Sequence, residues 1–147
     1  MITIKALLEA KSRELFSVGA THLAAEALEL LAKHKIGALM VMDGERLVGI
    51  VSERDFAIKV ALPGKNAREI RVGEVMTGAV ITVDPKQSLE DCMQQMNDRD
   101  IRHLPVVEGG KVIGMVSIGD VSKEMLKQQQ QMIRQFESYI RGGYTGV

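Results

Sequence analysis

The stretch Gly49-Ile50-Val51-Ser52-Glu53-Arg54-Asp55 returns sixty-five residues later as Gly114-Met115-Val116-Ser117-Ile118-Gly119-Asp120. An internal repeat fixes the architecture before any local reading does. Shifting the chain by 65 aligns residues 16–56 with 81–121 without a gap, and nine of the 41 positions are identical. Eight of those nine fall between 36 and 55, so the match is strongest where the chain turns and meets a helix. In each copy an apolar run ends at Ser52 or Ser117 and a helical pattern follows. A serine and an aspartate therefore stand at a helix N-terminus, where unpaired N–H groups suit an anion or a sugar hydroxyl.

Each copy reads as the same series of elements. Apolar residues at Leu23, Ala27, Leu30 and Leu31 predict an amphipathic helix over 23–34, and Leu89, Cys92, Met93 and Met96 predict its counterpart over 89–99. The second opens with Ser88-x-x-Asp91, read as a capping box. Ala38–Met42 and Leu47–Val51 flank Asp43-Gly44, while Leu104–Val107 and Val112–Val116 flank Glu108-Gly109-Gly110. Two short β-branched runs across a glycine turn predict a hairpin. With short strand starts at Leu15–Val18 and before Val83, each copy becomes a β-α-β-β-α unit. One such unit leaves a sheet face bare, so the expected fold is α/β (α+β), with two pseudo-twofold units packed sheet to sheet.

Thr3 is the expected N-cap of a short leading helix, from Ile4, Leu7 and Leu8. Pro63-Gly64 breaks the first copy, and Val72-Gly73-Glu74-Val75-Met76-Thr77 forms a connector with one helical turn. After Asp120 the positions Val121, Met125, Met132, Phe136 and Ile140 continue a helical face to Gly142-Gly143, where a long C-terminal helix should end. The expected segments are 1–15 leading helix, 16–62 first copy, 63–80 linker, 81–122 second copy and 123–147 C-terminal helix and tail.

Composition narrows the function. Lys plus Arg and Asp plus Glu both number 19, so there is no basic field for non-specific nucleic-acid binding. Five aromatics and no tryptophan supply no stacking platform. A single cysteine, Cys92, fits a reducing compartment, and no apolar run approaches the ~20 residues of a membrane span. The expectation is a cytoplasmic protein without membrane or nucleic-acid partners. Cys92 lies on an apolar stripe and reads as a core thiol, and His22, His34 and His103 are spaced unlike metal ligands. No nucleophile, base and orienting group can be placed together, so catalysis is not expected.

The repeated Gly-hydrophobic-Val-Ser-x-x-Asp, with Ile101-Arg102-His103-Leu104-Pro105-Val106-Val107 and the Val-Gly-Glu-Val-Met-Thr connector, resembles the cystathionine-beta-synthase-type (CBS) domain. The tandem resembles a Bateman module over about residues 16–121. With its ending Ile140-Arg141-Gly142-Gly143-Tyr144, the whole chain is similar to small stand-alone CBS-pair proteins. The resemblance implies binding of adenosine-containing ligands (AMP, ADP or ATP foremost, with NAD(H) or S-adenosylmethionine as further candidates) in clefts between the copies, pairing of two modules as a homodimer, and control of a regulated partner.

By that resemblance Asp55 and Asp120 receive the ribose hydroxyls, while Ser52 and Ser117 with their helix ends receive phosphate. Ser17 and Thr82, ahead of Val18 and Val83, match a position near the purine. Gly37 and Ala38 in the first copy stand where the second has Arg102 and His103, followed by Leu104 and Pro105. Arg54, Arg102 and His103 are the candidate phosphate contacts. The copies disagree at these positions: Arg54 faces Gly119 in the alignment, and Met40 replaces Pro105. The two sites should not be equivalent. Without the resemblance, Ser-x-x-Asp is also explained as a helix cap alone, and the chain as a constitutive homodimeric scaffold working through its C-terminal helix.

Overall fold

The computed structural model describes residues 2–11 and 15–143. Residues 12–14 of the leading segment and Tyr144 of the C-terminal motif lie outside the described residues. The elements are α1 (Ile4–Ala10), β1 (Ser17–Val18), α2 (Ala24–His34), β2 (Ala38–Asp43), β3 (Arg46–Ser52), α3 (Glu53–Phe56), α4 (Val72–Val75), α5 (Leu89–Arg99), β4 (His103–Glu108), β5 (Lys111–Ser117) and α6 (Ile118–Ser138). A wider helical turn extends α3 over Ala57–Ala61, and another extends α6 over Tyr139–Gly143. The fold is mixed α/β with two small sheets, and no helix among the described residues is long and apolar enough to cross a membrane.

The chain divides into two compact units, residues 13–84 with 105–115, and residues 1–12 with 85–104 and 116–147. In the first, β1 runs parallel to β2, and β2 pairs antiparallel with β3, with a bulge between Val41 and Met42. Val18, Leu39, Val41 and Val51 share one sheet face and bury against Ala24, Ala27 and Leu31 of α2 and against Phe56 and Val60 after β3. Alternate residues point to opposite faces of a strand, yet Ala38 and Met40 on the other face are as deeply buried. β2 is thus a strand covered on both sides, which explains its unbroken apolar run.

The duplication is visible bond by bond. Lys35 and Asp100 both adopt left-handed backbone at the C-caps of α2 and α5. Glu53 N–H donates to Gly37 O at 3.0 Å, and Ile118 N–H donates to Arg102 O at 2.8 Å, sixty-five residues on in both donor and acceptor. Val83 bridges Val106 in parallel as Val18 pairs Val41, so Val83 stands in for a β1 in the second copy.

Each copy is completed by the segment that precedes the other. Val72 N–H donates to His22 O at 2.8 Å and Gly73 N–H to Ala20 O at 2.9 Å, docking the connector on the start of α2. In the other unit Ile4 N–H donates to Gln87 O and Lys5 N–H to Pro85 O, both at 2.9 Å, docking α1 on the start of α5. The acceptors of the two pairs stand at the repeat offset of 65, while the donors are 68 residues apart.

Local readings hold with small changes. Thr3 caps α1 by accepting from Ala6 N–H at 3.3 Å. Ser88 caps α5 by accepting from Asp91 N–H at 3.1 Å, which is the serine half of the expected box. His22 precedes α2 and instead closes a turn, its Nδ1 accepting from Gly19 N–H at 2.9 Å. α6 runs through Gln128–Gln131 without a break, and Gly142, at φ 96°, ends the helical run as its lack of a Cβ permits.

Candidate functional site

Two helix starts carry the chemistry. In the first copy Ser52 Oγ accepts from Asp55 N–H at 3.4 Å, and Asp55 Oδ2 accepts from Ser52 N–H at 2.9 Å and from Ser52 Oγ at 3.2 Å. Asp55 Oδ1 lies 3.3 Å from Lys59 Nζ, one helical turn on, and the same ammonium donates to Val75 O at 2.8 Å. In the second copy Ser117 Oγ accepts from Asp120 N–H at 3.0 Å and Asp120 Oδ2 accepts from Ser117 N–H at 2.9 Å. Asp120 Oδ2 also accepts from Lys11 Nζ at 2.6 Å. Both pairs are complete capping boxes.

The carboxylates are therefore capping groups and lysine partners at once. Burial of Asp120 acts to raise its pKa, but the Lys11 ammonium and the Ser117 N–H outweigh it and hold the carboxyl below its usual range. The side chains are still reachable, Asp55 at 17% and Asp120 at 28% exposure. Asp120 spends one oxygen, Oδ2, on both partners, which leaves Oδ1 outside these bonds. Asp55 divides its partners between both oxygens. The copies thus differ at the aspartates themselves, in addition to the neighbouring positions.

In the first copy the structure brings Ser17, Ala38 and Ser52 onto one sheet face. Ala38 pairs with Ser52, and Ser17 pairs with Met40 two residues along β2. From strand spacings of about 4.8 Å and a rise of about 3.3 Å per residue, Ser17 and Ser52 lie roughly 12 Å apart on that face. Gly37 is tied to the helix start through its carbonyl, and Val18 points away into the core. Arg54 is exposed on the first turn of α3. Exposed Ser17 also borders a recess of about 270 Å³ floored by Met40 and Met42 and edged by Glu45, Lys111 and Val112.

The second copy's candidates are distributed over both units. Arg102, His103, Leu104, Ser117 and Asp120 belong to one. There the Arg102 carbonyl is tied to the start of α6 while its side chain is exposed, His103 is half-buried and Leu104 is fully buried. Thr82, Val83 and Pro105 belong to the other, where Val83 N–H donates to Pro105 O at 3.0 Å and Thr82 is exposed.

Sequence reasoning missed both lysines. Lys59 carried a signal, since it stands four residues after Asp55 on a predicted helix. Lys11 carried none, being 109 residues from Asp120. Cys92 is fully buried, which pushes its thiol up to about 11; it is a packing group, not a thiolate nucleophile.

With this geometry in hand the relatives are informative. The CBS domain family pattern matches residues 4–61 and again 72–127. The mitochondrial CBS domain-containing protein CBSX3 of Arabidopsis thaliana is 36% identical over 124 residues, 81% of this chain. The chain spans 60% of that relative's length. A Burkholderia ambifaria protein with CBS domains superposes with a TM-score of 0.84 at 42% identity, covering 87% of this chain and 96% of that one. The CBS domain pair of protein MJ0100, solved with 5′-methylthioadenosine and S-adenosyl-L-methionine, superposes with a TM-score of 0.76 at 26% identity over 87% and 98% of the chains. A duplicated sheet-and-helix unit with a Ser-x-x-Asp box at each helix start defines a tandem domain pair. This chain belongs to the CBS domain family.

Proposed function

We propose that the chain is a regulatory module that binds an adenosine-containing ligand and carries out no chemistry of its own. The observation that carries this is a reachable carboxylate at each of two corresponding helix starts. Vicinal ribose hydroxyls are two donors matched to such an acceptor, and the helix N-terminus beside it favours the phosphate. In the first copy the roughly 12 Å between Ser17 and Ser52 on one face gives a nucleoside with one phosphate a place to lie. The MJ0100 pair, complexed with two adenosine compounds, supports the ligand class.

AMP, ADP or ATP are our first candidates, because Arg54 lies on the first turn of α3 and the Arg102 carbonyl is bonded to the first residue of α6, which leaves Arg54, Arg102 and His103 as phosphate partners. The sites are unequal. Asp120 offers Oδ1 outright, whereas Asp55 must loosen its contact with Lys59, so the second copy binds more tightly. Ligand occupancy regulates by linkage, favouring whichever arrangement of the module binds it better and so altering affinity for a partner. Cytoplasmic residence suits this role and the single reduced thiol.

A thermal-shift panel of AMP, ADP, ATP, NADH, S-adenosylmethionine and 5′-methylthioadenosine tests the reading. At least one should raise the melting temperature of the wild type, and Asp120→Asn should lower that response more than Asp55→Asn. If all six leave the protein unmoved at millimolar concentration, the boxes are caps alone and the chain is a scaffold.

A further inference from the structure

Asp120 draws its lysine from outside its own helix. Lys11 is the C-cap of α1, its backbone N–H bonded to Leu8 O, and α1 is anchored at its other end by fully buried Ile4 and by the bonds from Ile4 and Lys5 to Gln87 and Pro85. The Lys11 ammonium is thus delivered to the start of α6 by a helix that is held elsewhere in the same compact unit. Lys59, by contrast, stands four residues after its aspartate on the same helical run.

The two lysines also meet different sides of their carboxylates. Lys59 takes Asp55 Oδ1, while Ser52 N–H at the helix start takes Oδ2, and Lys59 is drawn the other way by Val75 O at 2.8 Å. Lys11 takes Asp120 Oδ2, the same oxygen that accepts from Ser117 N–H. Its ammonium therefore stands within two hydrogen-bond lengths of the Ser117 nitrogen. Only in the second copy do the lysine and the positive end of the helix converge on one oxygen. The helix there is the 21-residue α6. Its first turn carries Gly119 where the first copy has Arg54, and a Cβ on Gly119 would meet Ser117 Oγ at 3.6 Å, an ordinary contact. Packing does not demand that glycine, and the cation missing from this turn is supplied by α1.

We infer that Lys11 sets the charge specificity of the second site, so that it selects adenosine ligands carrying a 5′ phosphate over uncharged ones. The inference rests on the ligand reading proposed above. An ammonium has three donors and can hold a carboxylate and a phosphate oxygen together. Lys11 and Asp120 are both reachable, at 38% and 28% exposure, and Asp120 Oδ1 is left for the ribose. Paired, the two side chains are neutral, so the carboxylate that holds a ribose does not repel the phosphate attached to it. Without Lys11 the same carboxylate acts on that phosphate as a like charge.

Isothermal titration of AMP and of 5′-methylthioadenosine, which share the adenosine and differ in charge at the 5′ position, tests this on the full chain. An Asp55→Asn background makes the second site the reporter. Adding Lys11→Met should weaken AMP about tenfold, the worth of one charge-assisted contact, and leave 5′-methylthioadenosine unchanged. Lys11→Arg should restore the preference for AMP. If Lys11→Met fails to fold by circular dichroism, Lys11→Gln, which keeps a donor for Asp120 without the charge, should show the same selective loss. A lysine that only props Asp120 would weaken both compounds alike, and that result overturns the inference. So does AMP binding that ignores the substitution, or an Asp55→Asn background that binds neither compound while the wild type binds one. A wild type that binds neither compound nor any other adenosine ligand sinks the ligand reading and this inference together, whereas the other failures strike this inference alone.

Discussion

At the scale of single residues, the two aspartates hold the account together. Each closes a helix cap, a role worth about 1 kcal/mol, and each also binds a lysine. Because Asp120 is held below the usual carboxylate range, it binds fewer protons when folded than when unfolded. Its contribution to stability is present above about pH 5 and is lost as pH falls through the depressed value. Asp120→Asn should therefore show a lower urea midpoint than the wild type at pH 7, and the gap should close in acid. A gap that stays constant from pH 7 to pH 2.5 would contradict the assignment. Lys11→Met tests the same contact from its other end: it should lose stability at pH 7 without changing the fold.

At the scale of elements, legibility follows sequence distance. The helices over 23–34 and 89–99, both hairpins and both serine caps could be read because their periodicity and turn residues are local. So could the correspondence of the two helix starts, because the repeat aligns without a gap. What could not be read was the exchange of segments, in which α1 completes the second copy and α4 the first. Those bonds join residues such as Ile4 and Gln87 through backbone atoms, which leave no mark in side-chain pattern. Lys11 was missed because 109 residues separate it from Asp120. The inequivalence of the sites was expected from Gly37-Ala38 against Arg102-His103, but the structure adds a further cause in the lysines.

The connector's docking explains Gly49, a glycine shared by both copies. Ile50 and Thr77 exchange backbone bonds at 3.0 and 2.9 Å, which brings the connector against β3. A Cβ on Gly49 would lie 2.5 Å from Met76 Sδ and 3.1 Å from Thr77 O. The thioether can swing away, but the carbonyl cannot without breaking the pairing. Gly49→Ala should cost about 1–3 kcal/mol, the usual range for overpacking, as measured by chemical unfolding. Adding Met76→Ala should recover only part of it. Full recovery would show that the Thr77 carbonyl does not limit the approach.

At the scale of the whole molecule, the chain carries two unequal carboxylate-bearing helix starts, one in each compact unit. A ligand that prefers one arrangement of the module shifts its population by no more than its difference in affinity between arrangements. Useful regulation therefore requires that binding be measurable and that it depend on the aspartates. Isothermal titration of AMP into the wild type and into the Asp55→Asn, Asp120→Asn double variant tests this most directly. The account predicts saturable heat for the wild type and its loss in a variant that remains folded. No heat from the wild type at millimolar AMP, with none from S-adenosylmethionine or 5′-methylthioadenosine, or undiminished binding in the double variant, would contradict it.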